Sequence, residues 1–224
     1  MTSSPLLWYL NRGTGVVLLV AFTATVVLGV LATGRSTTPL WPRFVTQGLH
    51  RSLAALSVFM LVAHVVSAVV DQYVDIRWWQ AVVPFGGTYQ PVWLALGAIS
   101  LDLLAVIVAT SLARARVPHR VWFLVHLSAY AAWASAVVHG LFIGTDSDKG
   151  WMVSITVGCV VAVGLAVVAR IIAVLNGKRV NRKRHDRSGH DGPRRPFGPQ
   201  SGVEREARHA DRTPARAGST GGAS

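Results

Sequence analysis

An all-α, multi-pass transmembrane helix bundle of about five spans, followed by a disordered basic tail, is the fold class this sequence predicts. Three observations predict it. Of 224 residues, 51% are apolar and only 14% are charged, against about 25% charged in an average chain. The apolar residues fall into five long runs with short loops between them. The charges are segregated: residues 1–175 hold 10 Lys/Arg and 5 Asp/Glu (net +5), and residues 176–224 hold 12 and 5 (net +7), which together make the +12 of the chain. A strong positive charge alone would admit nucleic acid as a partner. Basic residues that flank apolar spans instead follow the positive-inside rule, so the expected partner is membrane lipid and not nucleic acid.

Residues 1–13 form a short N-terminal interfacial segment, with Leu6, Leu7, Trp8 and Tyr9 suited to headgroup depth. Gly15 to Ala32 is long enough to cross about 30 Å of hydrocarbon. Arg12 before it resembles a signal-peptide flank, but the run is long for such a segment and no small-x-small cleavage site follows. A loop with Arg35, Arg43 and two prolines leads to the second span, about Leu49–Val70. Asp71–Gln90 is a longer loop, within which Ile76–Val83 reads as a short interfacial helix ended by Pro84, Gly86 and Gly87. The third span is about Val92–Leu112. A turn with Arg114, Arg116, His119 and Arg120 precedes the fourth, about Val121–Ile143. A polar loop with Asp146, Asp148 and Lys149 precedes the fifth, about Trp151–Leu175. Residues 14–175 thus form the membrane domain. Residues 176–224 are rich in Arg, Gly, Pro and Ser with almost no large apolar side chains, and are expected to be disordered.

Five spans put the termini on opposite sides. The loops after the first and third spans are basic, as is the tail. Those after the second and fourth are net acidic. This places the N-terminus outside the cell membrane and the tail in the cytoplasm. Seven of the eight tryptophans fall near span ends, as aromatic belts require, and only Trp133 is mid-span. The lone Cys159 lies in an apolar run and is read as packing.

Four histidines carry the chemistry. His50 and His64 lie fourteen residues apart on the second span, and His126 and His139 thirteen apart on the fourth. Imidazoles in hydrocarbon are costly unless something binds them. Both spans run from inside to outside, so His50 meets His126 at one depth and His64 meets His139 at another. At 1.5 Å per residue the gaps are about 21 and about 19.5 Å, which makes two matched layers. Histidines so far apart along a helix cannot share one zinc or copper ion, and two bis-His sites favour two hemes. Two imidazole ligands suit a six-coordinate iron that moves electrons. A gap of fourteen returns to within about 40° of the same helix face, but a gap of thirteen misses by about 140°. The fourth span must therefore be distorted, or its rings must reach from different faces. The rival from a different class is a pore or transporter that uses these histidines for cations or protons without heme.

The residues His50-Arg51 with His64 fourteen on, then Trp122, His126, Tyr130 and His139-Gly140, resemble the ferric reductase-like transmembrane domain, over roughly residues 14–175. That superfamily includes ferric reductases, NADPH oxidases and the heme-binding membrane subunit of bacterial methionine sulfoxide reductase systems. The resemblance implies two b-type hemes, an inner one on His50 and His126 and an outer one on His64 and His139, and transmembrane electron transfer. The longer relatives usually have six spans and continue into a flavin- and nicotinamide-binding module. Here five spans are expected, and the 49 residues of the tail carry no strand–Gly-rich–helix unit. Electrons are therefore expected from a separate reductase or from quinol. They leave to an outside acceptor, either Fe(III) or a flavoprotein partner, and a quinol-linked cytochrome serving periplasmic repair differs from a metal reductase only in that acceptor. The expected role is the heme-binding membrane subunit of an oxidoreductase, with no catalytic side chain of its own.

Arg51 and Arg120 sit at the cytoplasmic ends of the two heme-bearing spans. They are candidates for inner-heme propionates, with topology-setting charge as the plainer reading. Arg77 and Lys149 stand in the same relation to the outer side. Asp102 is the sole acid well inside a span. Insertion there costs about 2.5–3.5 kcal/mol, so it should face the bundle, on a structural partner or in a proton relay. Asp146 and Asp148 read as a solvated turn, with attraction of Fe(III) or a basic partner as the sharper alternative. His119 reads as a solvated loop residue, and His185, His190 and His209 belong to the tail. The basic tail suits an acidic partner or anionic lipid.

Overall fold

The computed structural model describes residues 5–32, 43–71, 76–87, 89–143 and 149–190. Among the described residues there are seven helices: α1 (Pro5–Ala32), α2 (Arg43–Val70), α3 (Trp78–Val82), α4 (Pro91–Leu112), α5 (His119–Leu127), α6 (Ala129–Ile143) and α7 (Gly150–His190). There is no strand among the described residues. Five helical stretches among the described residues are long and apolar enough to cross a membrane: Pro5–Ala32, Phe44–Val70, Pro91–Leu112, His119–Ile143 and Gly150–Asn176. The protein is an all-α membrane protein. Its outward surface agrees, since Phe44, Phe59, Leu112 and Leu165 are each at least 65% exposed, a cover that lipid satisfies and water does not.

The chain divides into a unit Met1–Asn176, which holds all the spans, and a second unit, Gly177–Ser224. Within the first unit, α1 is the most buried of the five spans. Its Phe22 and Val26 pack with Ala132 of α6 and Val163 of α7, against Leu103 and Leu104 of α4. Ala132 is fully buried, and its small side chain lets the helices approach closely where lipid offers no hydrophobic drive. Leu19, Val137 and Cys159 form a neighbouring cluster, which confirms Cys159 as a packing residue. At mid-span the Trp133 indole N–H donates to the Thr23 hydroxyl at 2.9 Å, tying α6 to α1.

Four element boundaries differ from the sequence-based expectation, and one is α2, which begins at Arg43 rather than near Leu49. α1 begins at Pro5 rather than near Gly15, so most of the expected interfacial segment is helix. Proline is well suited to a first helical turn. Asn11 and Arg12 interrupt the apolar run but not the helix, since Asn11 satisfies its amide by bonding across to α2. α7 continues to His190 where disorder is expected from residue 176. Lys and Arg are good helix formers, and extension of an existing helix needs no new nucleus. The tail beyond residue 190, with His209, lies outside the described residues, as do Asp146 and Asp148.

The last difference accounts for part of the mismatch in histidine spacing. The fourth span is not one helix but two, α5 and α6, joined at Ser128. The Ser128 N–H donates to the Val125 carbonyl at 3.1 Å, a tight three-residue closure, and its hydroxyl donates to the same carbonyl at 2.6 Å. Each residue wound at 3.0 rather than 3.6 per turn adds about 20°, so one such turn recovers about half of the 140° mismatch between His126 and His139. The short helix α3 and its break after Val83 are as expected, with Trp78 and Trp79 both exposed.

Candidate functional site

The four histidines come together in two layers. The His50 and His126 ring centroids are 6.2 Å apart, with the planes at 59°. His64 and His139 line one cavity of about 310 Å³, together with Gly15, Phe22, Gly97, Leu101 and Leu104. α2 and the α5–α6 span therefore run in the same direction, and the sequence-based pairing of His50 with His126 and of His64 with His139 is the spatial one.

Backbone carbonyls of neighbouring helices fix three of the rings. His64 Nδ1 lies 3.0 Å from the Asn11 carbonyl of α1, and His50 Nδ1 lies 2.9 Å from the Thr25 carbonyl of the same helix. His139 Nδ1 lies 2.8 Å from the Trp93 carbonyl of α4. A carbonyl oxygen only accepts, so Nδ1 carries the proton in each ring and Nε2 keeps its lone pair. Metal-binding histidines are ordinarily held in this way: the second nitrogen donates to a carbonyl, which fixes ring orientation and raises the basicity of the ligating nitrogen. His126 differs. Its Nδ1 is buried without a hydrogen-bond partner, and its ring stacks on Trp122 at 4.9 Å and 19°. Trp122 in turn has the Arg114 guanidinium 3.9 Å above its ring.

The His64 anchor is reciprocal. The Asn11 amide donates to the His64 carbonyl at 2.9 Å and to the Ser67 hydroxyl at 3.2 Å, and Ser67 itself donates to the His64 carbonyl at 2.9 Å. On the opposite side of the layer, Trp93 stacks on Phe142 at 4.0 Å and 10°, holding the start of α4 against the end of α6. No cluster of three or more His, Cys, Asp or Glu occurs among the described residues, so the histidines act as pairs and not as one convergent metal site.

The candidate arginines fall differently. Arg51 and Arg120 are exposed, as are Arg77 and Lys149, and none of them lines the cavity. Arg12 does line it, and Arg114 is the basic residue beside the neighbour of His126. Sequence reasoning missed Asn11, Arg12 and Arg114 as site residues. The first two belong to the expected interfacial segment 1–13, although Asn11, four residues before Gly15, shares a helical face with it. Asp102 is half-buried on α4 and is not part of the cavity wall. His119, the first residue of α5, is exposed and stacks on Trp122 at 5.9 Å.

Comparison with known proteins adds one finding. Neither the curated proteins nor the solved structures give a match to this chain. A family model described as "Ferric reductase like transmembrane component" matches residues 14–137. The match takes in His50, His64 and His126, and it stops two residues before His139. It covers more than half of the sequence, and the chain belongs to the ferric reductase-like transmembrane family.

Proposed function

We propose that this protein is a transmembrane electron-transfer cytochrome b, with one heme held by His50 and His126 and a second held by His64 and His139. The observation that carries the reading is the anchoring of His50, His64 and His139 on backbone carbonyls, which leaves Nε2 of each as the free donor. The spacing of the first pair fits as well. His50 and His126 stand close enough that both would hold one group between them, each through an imidazole nitrogen. The observed separation is 6.2 Å.

A b heme held by these histidines would supply one-electron redox chemistry. The chain's own residues orient and insulate it. The carbonyl anchors hold the His50, His64 and His139 rings in one tautomer. Leu19, Phe22, Leu101 and Leu104 wall the second layer with hydrocarbon, which limits water and so bears on potential. Arg12 on that wall is placed to meet an anionic substituent such as a propionate. Trp133 and Thr23 lie between the layers and brace α6 against α1.

By the charge pattern of the loops, the His50–His126 layer is the cytoplasmic one and the chain lies in the cell membrane with its N-terminus outside. A separate reductase or membrane quinol donates on the inner side, and Fe(III) or a flavoprotein accepts on the outer side. The test is the visible spectrum of protein purified from heme-supplied cells, oxidised and dithionite-reduced, with a pyridine hemochrome count. Two b-type hemes per chain support the reading. Protein without heme overturns it and turns attention to cation or proton transport through the histidines.

A further inference from the structure

The three anchored histidines are seated by a common device. Each Nδ1–H reaches the carbonyl of a residue i on a neighbouring helix, and residue i+4 of that helix is glycine. The pairs are Asn11 with Gly15, Thr25 with Gly29, and Trp93 with Gly97. A helical carbonyl already accepts from the N–H of residue i+4. A second donor uses the remaining lone pair, and to reach it a ring must lie against residue i+4, where a Cβ would stand. Glycine opens that place.

The distances grade the three positions. A Cβ built at Gly97 would lie 2.6 Å and 2.7 Å from Cε1 and Nδ1 of His139; one at Gly15 would lie 3.1 Å and 3.2 Å from the same atoms of His64; one at Gly29 would lie 3.4 Å from His50 Cε1. In contrast, a Cβ at Gly13, Gly48, Gly140, Gly150, Gly158 or Gly164 would meet nothing within 4 Å. Ordinary small-residue packing between membrane helices would put backbone or aliphatic atoms against these glycines. Here the nearest atoms at all three positions belong to an imidazole.

We propose that Gly15, Gly29 and Gly97 are positioning residues that seat His64, His50 and His139 on their carbonyls and thereby set ligand basicity at the two hemes. This deepens the heme reading and rests on it. His126 lacks the device, so the His64–His139 layer has two anchored ligands and the His50–His126 layer has one. Pushing a ring off its carbonyl weakens the Nδ1–H···O bond, makes Nε2 a poorer donor, and favours the ferrous state.

The experiment compares native protein with Gly97→Ala, Gly15→Ala, Gly29→Ala and the control Gly158→Ala. It reads heme per chain, the low-spin EPR signal of each heme and both midpoint potentials, with signals assigned through a His126→Ala variant. In Gly97→Ala the outer heme is lost or its signal moves. In Gly15→Ala the outer couple rises by about tenfold in its equilibrium constant, about 59 mV for one electron. In both, the inner signal stays in place and reports a folded bundle. Gly29→Ala shifts the inner couple less, and Gly158→Ala shifts neither. If Gly97→Ala does not accumulate, Gly15→Ala decides alone. Native-like outer signals in Gly97→Ala and Gly15→Ala, or equal disturbance of both hemes, overturn the proposal while leaving the heme reading intact. Native protein without heme overturns both.

Discussion

Replacing Asn11 by leucine separates what the side chain does from what the backbone does. The change keeps the number and branching of the side-chain heavy atoms and deletes two interhelical hydrogen bonds, to the His64 carbonyl at 2.9 Å and to the Ser67 hydroxyl at 3.2 Å. Interhelical bonds in a bilayer average about 0.6 kcal/mol and reach about 1.7. The Ser67 hydroxyl still donates to the His64 carbonyl, so no buried acceptor is stranded, and the expected loss is about 1 kcal/mol. The carbonyl of residue 11 survives any substitution, so the His64 ring keeps its anchor. Asn11→Leu should therefore destabilise the bundle by about 1 kcal/mol in equilibrium unfolding in mixed micelles, while retaining two hemes per chain and the native outer potential. Loss of the outer heme would show that the side chain, and not the backbone, positions His64. A stability equal to native within 0.3 kcal/mol would show that the two bonds contribute nothing net.

The remaining predictions concern the two layers and the elements around them. His64→Ala or His139→Ala should remove the outer heme and spare the inner, and His50→Ala or His126→Ala should do the reverse, as read by hemochrome count; two hemes left after any one change would refute the pairing. Arg12→Gln removes a positive charge from the wall of the outer cavity and should lower the outer midpoint potential while leaving the inner one in place; an unchanged outer potential would remove Arg12 from the site. Trp133→Phe deletes the 2.9 Å bond to Thr23 and should cost about 0.6–1.7 kcal/mol in the same unfolding assay, with both heme signals retained.

Much of this architecture is legible in the sequence because the bilayer imposes it. Each span needs about twenty apolar residues, and five such runs stand out. Their ends are less legible. Hydropathy ends the first run at Gly15, since Asn11 and Arg12 are polar. The helix nevertheless runs to Pro5, because Asn11 has a hydrogen-bonding partner on α2 that no local pattern reveals. The fourth span is instructive in the other direction. A gap of thirteen between its histidines announces a distortion, but only the structure places it at Ser128, where a hydroxyl and an N–H compete for one carbonyl. The arginines were read as charges near a site. Which of them reaches the cavity depends on helix rotation, and composition carries no information about that.

The glycines show a signal that was present and went unread. Gly15 and Gly29 are fourteen residues apart on α1, as are His64 and His50 on α2, and the two helices run antiparallel, with Gly15 beside His64 and Gly29 beside His50. The carbonyl donors Asn11 and Thr25 repeat the same interval. One register therefore satisfies both layers, and α1 works as a ruler whose marks fall about 21 Å apart. A single helix that carries both anchors ties the depth of one layer to the depth of the other, which two independently anchored sites would not do. His139 draws its anchor from α4 instead, and the break at Ser128 frees α6 to meet it there. His126, on the other side of that break, is left with a stacked tryptophan and no carbonyl. The asymmetry between the two layers thus follows from the same local distortion that brings the fourth span's histidines into pairing.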